Sequence, residues 1–347
     1  MYYEQICSFE KLYQAHKVAR RGKRNTKEVI LFENNLGENL SRLSRELAEQ
    51  TYRISGYYSF IVKDPKVRRV DALHYRDRVV QHCVCDEALS NIINPKLVYD
   101  NAACRAGKGT HFSMDRLSAF LRAHYRRYGT EGFFLRYDIR RFFDSIDHAV
   151  LKEKLRRVIR EEALLRLLYH YIDSYHTPGT PGKGIPLGNQ TSQWFALYYL
   201  DGLNRMIKER FRIKYYTRYM DDAVMLHSDR AYLKECLSAM TAYASAELKL
   251  SFNEKTQIFP LCCGVDYLGF HFYLTATGKV VRRLRQKNKR RYKRKLRLLK
   301  LRYENETITA DEIRQSLGSH HAHLSHGHTW MLRTRALKGF VLTGGER

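Results

Sequence analysis

The chain has 347 residues and carries 62 Lys and Arg against 36 Asp and Glu, which gives a formal net charge of +26. A charge this high favours a polyanionic partner, and nucleic acid is the obvious one. No stretch approaches the roughly 18 consecutive apolar residues of a membrane span, so no membrane association is expected. The seven cysteines form neither a zinc nor a disulfide pattern, which favours an intracellular, reducing setting.

The first elements in chain order are a helix, a strand and a second helix. Arg76-Asp77-Arg78 opens the first helix, and its charges suit either functional contacts or structural ion pairs. Apolar and aromatic residues predict a short strand over 133–139, which carries Asp138 near its end. Asp147 is well placed to cap a helix through 150–155.

A Gly/Pro-rich loop at 182–193 then enters an apolar helical stretch at 194–200. Glycines let the backbone approach a ligand closely, and a polar run at a helix start presents donors to a base or a phosphate. An ordinary loop-to-helix junction would have the same composition, and the composition alone favours that interpretation.

Two adjacent acids, Asp221 and Asp222, lie between runs of β-forming residues at 211–218 and 223–226. The pattern predicts a strand, a tight turn and a second strand. Asp138 and Asp221 are 83 residues apart, so tertiary structure has to bring them together. On neighbouring strands of one antiparallel sheet they would share an edge and could hold a divalent metal.

The last marked element is strongly basic, with 13 Lys or Arg and no acid over 282–302. Tyr292, Leu296 and Leu299 have helical spacing and predict a helix with one buried stripe. The remaining surface would lie along a phosphate backbone. The candidate phosphate contacts are Arg290, Arg291, Lys293, Arg294 and Arg297.

Taken in order, these motifs resemble those of reverse transcriptases over most of the chain, from about Lys66 to Trp330. The matching segments are Asp138 with Phe143 five residues on, 188–193, 219–222, Lys255 and 267–270. The resemblance implies an RNA-directed DNA polymerase with an α+β right-hand fold, made of fingers, a palm with an antiparallel sheet and a short helical thumb. We expect an N-terminal helical region and fingers in 1–130, the palm in 131–275 with the helices of 151–184 returning towards the fingers, and the basic thumb in 276–347.

The resemblance also implies roles for individual residues. In that family the acids matching Asp138 and Asp221 bind two Mg²⁺ ions, for which Mn²⁺ can substitute, and Asp222 is a supporting acid. The carbonyl of Ile139 is a plausible further ligand, because hard cations accept carbonyl oxygens. Lys255 matches the lysine assigned to protonating the leaving pyrophosphate; a surface lysine is the alternative.

Contacts with substrate and primer follow from the same resemblance. Phe143 matches the bulky residue that excludes a ribose 2′-hydroxyl, although one of Phe142 and Phe143 is expected to be a core aromatic. The candidate nucleotide contacts are Lys66, Arg69, Arg105, Phe143 and Gln190. Tyr267-Leu268-Gly269 matches the primer grip, with palm core as the alternative for its aromatics. The histidines between 320 and 328 resemble the thumb end of the family and favour helix-cap and RNA-backbone contacts over metal ligation.

The loop at 182–193 indicates a subgroup. Leu187-Gly188 and Ser192-Gln193 resemble the reverse transcriptases of diversity-generating retroelements, which copy a template-repeat RNA into error-prone cDNA. The candidate fidelity residues are Leu187, Gly188, Asn189, Ser192 and Gln193. The implied partners are template RNA, cDNA or primer, dNTPs and a small basic oligomeric accessory variability protein, in the cytoplasm of a bacterium or as a phage product. A retron or phage-defence reverse transcriptase and a catalytically dead nucleic-acid-binding scaffold are the alternatives.

Overall fold

The computed structural model describes residues 1–63 and 66–342, which form a mixture of helices and antiparallel strands. The helices are α1 (Tyr2–Cys7), α2 (Phe9–Ala19), α3 (Lys27–Asn34), α4 (Leu36–Ala48), α5 (Tyr75–Val84), α6 (Ser90–Ile93), α7 (Thr110–Tyr128), α8 (Phe142–Ser145), α9 (His148–Arg156), α10 (Glu162–Asp173), α11 (Gln190–Tyr199), α12 (Asp201–Arg205), α13 (Arg230–Leu248), α14 (Gln286–Glu304), α15 (Ala310–Leu324) and α16 (Trp330–Lys338). The strands are β1 (Tyr57–Val62), β2 (Arg68–Leu73), β3 (Phe133–Tyr137), β4 (Tyr215–Tyr219), β5 (Asp222–His227), β6 (Gln257–Pro260), β7 (Val265–Tyr267), β8 (Phe270–Leu274) and β9 (Val280–Leu284).

The chain divides into two compact units. Unit 1 comprises 1–106, 138–212 and 236–254; unit 2 comprises 107–137, 213–235 and the chain from 255 onward. Unit 1 contains the N-terminal helices, the β1–β2 hairpin and the helices between α8 and α12. Unit 2 contains the two larger sheets, α7 and the C-terminal helices.

In unit 1, the helix predicted from Arg76-Asp77-Arg78 is α5, and its charges make structural contacts. Asp77 is buried and accepts hydrogen bonds from the Tyr52 hydroxyl and the Ser55 N–H, both at 2.8 Å. Arg78 forms an ion pair with Glu28 at 2.7 Å. Hydrogen bonds and ion pairs of this kind offset the free-energy cost of burying a charge. The contacts therefore support structural ion pairs rather than functional contacts for these residues.

The Asp147 cap in unit 1 is confirmed. Its side chain accepts from the Val150 N–H at 3.1 Å at the start of α9. Lys249 forms an ion pair with the same carboxylate at 2.8 Å. Although burial raises the pKa of Asp147, the bonds from Lys249 and Val150 outweigh burial and hold this pKa below its usual value.

The central sheet lies in unit 2, with strand order β4-β5-β3-β6 and all pairs antiparallel. The predicted strand over 133–139 is β3, which ends two residues earlier, and its Phe134, Leu135 and Tyr137 are buried. The strand expected from 211 begins only at Tyr215, because Arg212 has a φ of +48°, outside the β region.

A second sheet in unit 2 has the order β7-β8-β9 and leads into α14. The predicted stripe of Tyr292, Leu296 and Leu299 is confirmed, since all three are buried. Tyr292 and Leu296 join one apolar core with residues of both sheets and of α7. This core fixes the basic helix to unit 2 and leaves its charged side chains outward.

Candidate active site

Strand pairing in unit 2 places Asp221 and Asp222 at one end of the central sheet. Tyr137, the last residue of β3, pairs with Ala223 near the start of β5. Asp222 begins β5, Asp221 directly precedes it, and Asp138 is the residue after Tyr137 in the chain. Because β3 and β5 run in opposite directions, the end of one and the start of the other lie at the same sheet edge.

Two turn residues, Met220 and Asp221, connect β4 to β5, with Tyr219 paired to Asp222. We call Tyr219–Asp222 the acidic turn. Met220 has a φ of +54°, in the left-handed region that a two-residue hairpin turn favours at its first central position. A non-glycine residue there carries backbone strain, and such strain is concentrated at functional sites.

The two turn acids have different surroundings. Asp222 makes a two-point contact with Arg136 on β3: Nε lies 3.2 Å from Oδ1, and a terminal guanidinium nitrogen lies 3.4 Å from Oδ2. Burial raises the pKa of Asp222, and the Arg136 ion pair opposes that rise. The Asp222 carboxylate therefore faces a cation, and direct metal ligation by Asp222 stays a prediction.

Local contacts in unit 1 hold Asp138. Its carbonyl accepts from the Asn253 N–H at 2.7 Å, and its Oδ2 accepts from the Asn253 side-chain amide at 3.3 Å. Ile139 bridges to Phe252 through two bonds that use the carbonyls of Asp138 and Ser251. The carbonyl of Ile139 takes no part in that bridge, so it suits the predicted role of an extra metal ligand.

The donor set fits a polymerase-type metal site. Over 1–63 and 66–342, no three His, Cys, Asp or Glu side chains form a metal-holding group. A closed protein cage is not needed, because Mg²⁺ in polymerases is bound by one or two carboxylates together with substrate phosphates. Asp221 of unit 2, and Asp138 and the Ile139 carbonyl of unit 1, are donors of this kind, and their role as metal ligands stays a prediction.

Residues 61–272, well over half of the chain, match the sequence profile of a family described as Reverse transcriptase (RNA-dependent DNA polymerase). The chain belongs to the reverse transcriptase family.

Two yeast proteins are similar in sequence to this reverse transcriptase. The COX1/OXI3 intron 2 protein of Saccharomyces cerevisiae is 23% identical over 193 residues, which are 53% of this chain and 21% of that protein. The COX1/OXI3 intron 1 protein is 24% identical over 160 residues, 44% of this chain and 18% of that protein. The matched part is thus about a fifth of the length of these curated relatives.

A solved structure identifies the fold. Telomerase from Candida albicans, in complex with a TWJ fragment of telomeric RNA, matches with a TM-score of 0.50 and 11% identity, covering 75% of this chain and 52% of that chain. The predicted fold class, an α+β right-hand polymerase fold, is confirmed.

Lys255 and the primer-grip residues lie near the same strands of unit 2. Lys255 is an exposed turn residue two positions before Gln257, which pairs with Arg136. It therefore lies at the end of the central sheet that carries the acidic turn. Tyr267 is fully buried and its hydroxyl lies 2.6 Å from the Ser113 hydroxyl, so the core alternative fits this aromatic. Leu268 and Gly269, with φ of +45° and +93°, form the tight turn between β7 and β8.

Phe142 and Phe143 differ in burial, as expected, but the structural reason differs from the expected one. Phe142 is buried, whereas Phe143 is half-buried, and their rings meet edge to face at 5.7 Å. The expectation treated this segment as extended, which was wrong, because both residues lie in the short helix α8. Phe143 remains the accessible ring and the candidate steric gate.

The loop predicted to control fidelity is partly a structural anchor of unit 1. Gly188 has a φ of +101°, and a Cβ there would lie 2.8 Å from Val70 Cγ1, so only glycine fits. Asn189 is buried and its amide donates to the Asp71 carbonyl on β2 at 3.2 Å. Asn189 therefore fixes the loop to the β1–β2 hairpin.

The other loop residues differ in exposure. Leu187 and Gln193 are half-buried, and Ser192 is buried. The Gln190 N–H donates to the Gln81 side chain at 3.1 Å, which holds the start of α11 against α5. The accessible candidates in this loop are thus Leu187, Gln190 and Gln193.

Of the candidates near the β1–β2 hairpin, Lys66 is exposed, and Pro65 beside it lies outside the described residues. Arg69 is largely exposed, and its Nε lies 2.9 Å from Asp71 Oδ1. The Tyr175 hydroxyl donates to the other oxygen of Asp71 at 3.0 Å. Asp71, which is itself hydrogen-bonded by Tyr175, therefore orients the Arg69 guanidinium. Arg69 is exposed enough to reach a ligand, and its role stays a prediction.

Arg105 has a different setting from Lys66 and Arg69. Its guanidinium donates to the Asn94 side chain at 2.6 Å and to the carbonyls of Val98 and Asn101 at 2.8 and 3.0 Å. Burial lowers the pKa of Arg105. These bonds give it a role in holding its loop, and a triphosphate contact would compete with them.

The basic helix and the histidines complete the candidates in unit 2. Arg290, Lys293, Arg294 and Arg297 are exposed and Arg291 is half-buried, as a nucleic-acid surface requires. The histidines pack mainly against aromatics of the same unit: His321 Nε2 lies 2.7 Å from the Tyr292 hydroxyl, the His320 ring stacks on Tyr292, and His323 lies against Phe270. None of the helices that the structure describes is both long and apolar enough to cross a bilayer.

Sequence reasoning missed three residues of this site: Arg136, Arg218 and Asn253. Arg136 carried a usable signal, since it lies two positions before Asp138 in the predicted strand, where alternate residues are expected to share a face. Arg218 and Asn253 carried none, because their contacts depend on side-chain geometry within the fold.

Proposed function

We propose that the chain is the RNA-directed DNA polymerase of a diversity-generating retroelement, which makes error-prone cDNA from a template-repeat RNA. The observation that supports the polymerase part is the β3–β5 register of unit 2, which puts the acidic turn at the end of the central sheet where β3 ends. The subgroup rests on the loop sequence from Leu187 to Gln193.

Each residue has a defined task in this proposal. Asp138 and Asp221 are the carboxylates that would hold the two Mg²⁺ ions, which when bound would neutralise negative charge during nucleotidyl transfer. Arg136 keeps the neighbouring Asp222 paired, so the acidic turn tolerates two adjacent carboxylates. Lys255 supplies a cation at the same sheet end, where negative charge develops on the leaving group.

Other groups of the chain would select and hold the substrates. The half-buried ring of Phe143 would occupy the space of a ribose 2′-hydroxyl and so favour dNTPs. Arg69 and Lys66 would contact the incoming triphosphate. The exposed face of α14 would follow the phosphate backbone of template and cDNA, and a small basic accessory protein would act with the chain.

Primer extension on a defined RNA template tests the polymerase part. The wild-type chain should extend the primer with dNTPs and Mg²⁺, and Asp221→Ala should lose at least about 100-fold in rate. Asp311→Ala, an exposed acid on α15 of the same unit, is the matched control and should keep the wild-type rate. A scaffold without catalysis would show no extension in any variant.

Sequencing the cDNA tests the subgroup. Errors concentrated opposite template adenines, reduced by Leu187→Gln, would support a diversity-generating retroelement. The similarity to two yeast intron proteins favours an intron-encoded reverse transcriptase as the second candidate. Accurate copying by the wild-type chain, unchanged by Leu187→Gln, would select that second candidate.

A further inference from the structure

Arg218 on β4 is a charged side chain with no exposed surface, and it is the largest side chain buried to this degree among the described residues. Burying a guanidinium is costly unless hydrogen bonds and nearby charge compensate it. A buried arginine three residues before Asp221 therefore needs a reason in the fold or in the chemistry.

The reason lies in the acidic turn. A terminal nitrogen of Arg218 donates to the Met220 carbonyl at 2.8 Å. That carbonyl belongs to the peptide that joins Met220 to Asp221, and Met220 has the strained φ of +54°. A charge-assisted bond to this oxygen opposes relaxation of the strained Met220 backbone. It also fixes the orientation of the Met220–Asp221 peptide, and so the direction of the Asp221 side chain.

Three buried tyrosines lie within electrostatic range of Arg218. Burial raises the pKa of Tyr137, Tyr216 and Tyr267, and for each of them the Arg218 charge opposes that rise. The hydroxyls of Tyr137 and Tyr216 lie 2.8 Å apart, which links β3 to β4.

A second hydrogen-bonded group holds β4 in place. The Ser113 hydroxyl on α7 lies 2.8 Å from Thr217 Oγ1 and 2.6 Å from the Tyr267 hydroxyl. Thr217 precedes Arg218 and is itself fully buried. Strand β4 is thus held in place just before the turn. Because Arg218 is part of this held strand, its bond to the Met220 carbonyl also restrains the peptide next to Asp221.

We propose that Arg218 is a positioning residue of the polymerase site, which holds the Met220 peptide so that the Asp221 carboxylate faces its metal. This inference rests on the proposed polymerase function. It predicts a local effect on the acidic turn, whereas a merely structural arginine would affect the whole of unit 2.

The test compares Arg218→Met, which removes charge and donors, with Arg218→Lys, which keeps a charge and a donor. Hydrogen–deuterium exchange is followed for the peptide over 219–222 and for a control peptide over 114–121 in α7. Arg218→Met should speed exchange of the turn by about tenfold, the effect of losing one charged hydrogen bond, and leave the control peptide unchanged. Arg218→Lys should restore most of the protection.

Activity supplies an independent readout. In primer extension, Arg218→Met should lower kcat about tenfold and raise the Mg²⁺ concentration for half-maximal rate, with the KM for dNTP little changed. If Arg218→Met does not fold, Arg218→Gln and Arg218→Lys carry the comparison. Equal exchange in the turn peptide of wild type and folded variants, or an effect spread equally over both peptides, would overturn the inference.

The two proposals fail separately. If the wild-type chain does not extend a primer, the proposed function fails, and exchange of the turn peptide still decides whether Arg218 holds it. If the wild-type chain polymerises and all Arg218 variants match it in rate and exchange, only the positioning role fails.

Discussion

The guanidinium of Arg136 and the carboxylate of Asp222 form a two-point ion pair across β3 and β5, with nitrogen–oxygen distances of 3.2 and 3.4 Å. Both side chains are more than two-thirds buried, at 29% and 24% exposure. The pair distinguishes two acids that are adjacent in sequence, because Asp222 is neutralised within the sheet while Asp221 belongs to the turn.

Replacing Arg136 by Met should destabilise unit 2, because the buried Asp222 carboxylate loses its cation. We expect the free energy of unfolding to fall by about 1–3 kcal/mol. Adding Asp222→Asn to Arg136→Met should recover part of this loss, since no charge is then left buried. Denaturant unfolding of both variants measures the effect, and a double variant that is less stable than the single one would contradict it.

Replacing Phe143 by Ala should relax discrimination against ribonucleotides, since the accessible ring is removed while its buried neighbour remains. Incorporation of rNTP relative to dNTP in primer extension should rise. The contrasting variant is Phe142→Ala, which empties a core position and should cost about 3 kcal/mol of stability. Unaltered rNTP exclusion by a folded Phe143→Ala chain would remove Phe143 from the steric-gate role.

Neutralising the exposed face of α14 should weaken RNA binding and flatten its salt dependence. If Arg290, Arg294 and Arg297 each neutralise one phosphate, changing all three to Gln should reduce the slope of log K against log salt by about 2 to 3. Filter binding between 50 and 300 mM salt, about the range in which counterion release dominates, gives the slope. Leu298→Gln, an exposed change on the same helix without loss of charge, should keep the wild-type slope.

Unit 2 should lose stability on acidification. Burial lowers the pKa of His320, His321, His323 and His326, and nearby Lys, Arg or His side chains lower it further, while Asp115 opposes this in part at His326. A histidine with a lowered folded-state pKa binds protons more readily in the unfolded chain, so its contribution is complete above about pH 6.5 and is lost as pH falls below that value.

Melting temperatures between about pH 8 and pH 5 measure this dependence. His323→Gln should make the melting temperature depend less on pH, because one of the four histidines of unit 2 no longer titrates. In unit 1 the pKa of buried His16 and of half-buried His170 is also lowered, so both add to the loss of stability in the wild-type chain. A melting temperature that rises as the pH falls would refute the assignment.

The parts of the site that sequence predicts are those with local or periodic signals. The acidic turn, the strand before Asp138, the Asp147 cap and the stripe on α14 each follow from neighbouring residues alone. Asn189 illustrates the limit: a polar residue in a polar loop suggests a ligand contact, yet its amide is bonded to the Asp71 carbonyl 118 residues away. Arg105 illustrates it again, since its donors are used by backbone carbonyls of its own loop. Hydrogen-bond partners of polar side chains do not recur at regular spacing in the sequence. Only the folded structure therefore shows which donors and acceptors are already paired.

The pairing of β3 with β5 also determines where this chain can change length. Side chains alternate between the two faces of a strand, so deleting one residue within 133–135 would move Arg136 to the opposite face and separate it from Asp222. The long stretch between Asp138 and β4 has no such constraint at exposed positions such as 178–181, whereas Gly182 and Lys183 pair with His148 and Asp147. Lengthening that segment should preserve the chemistry, while a single slip inside a five-residue strand should abolish it.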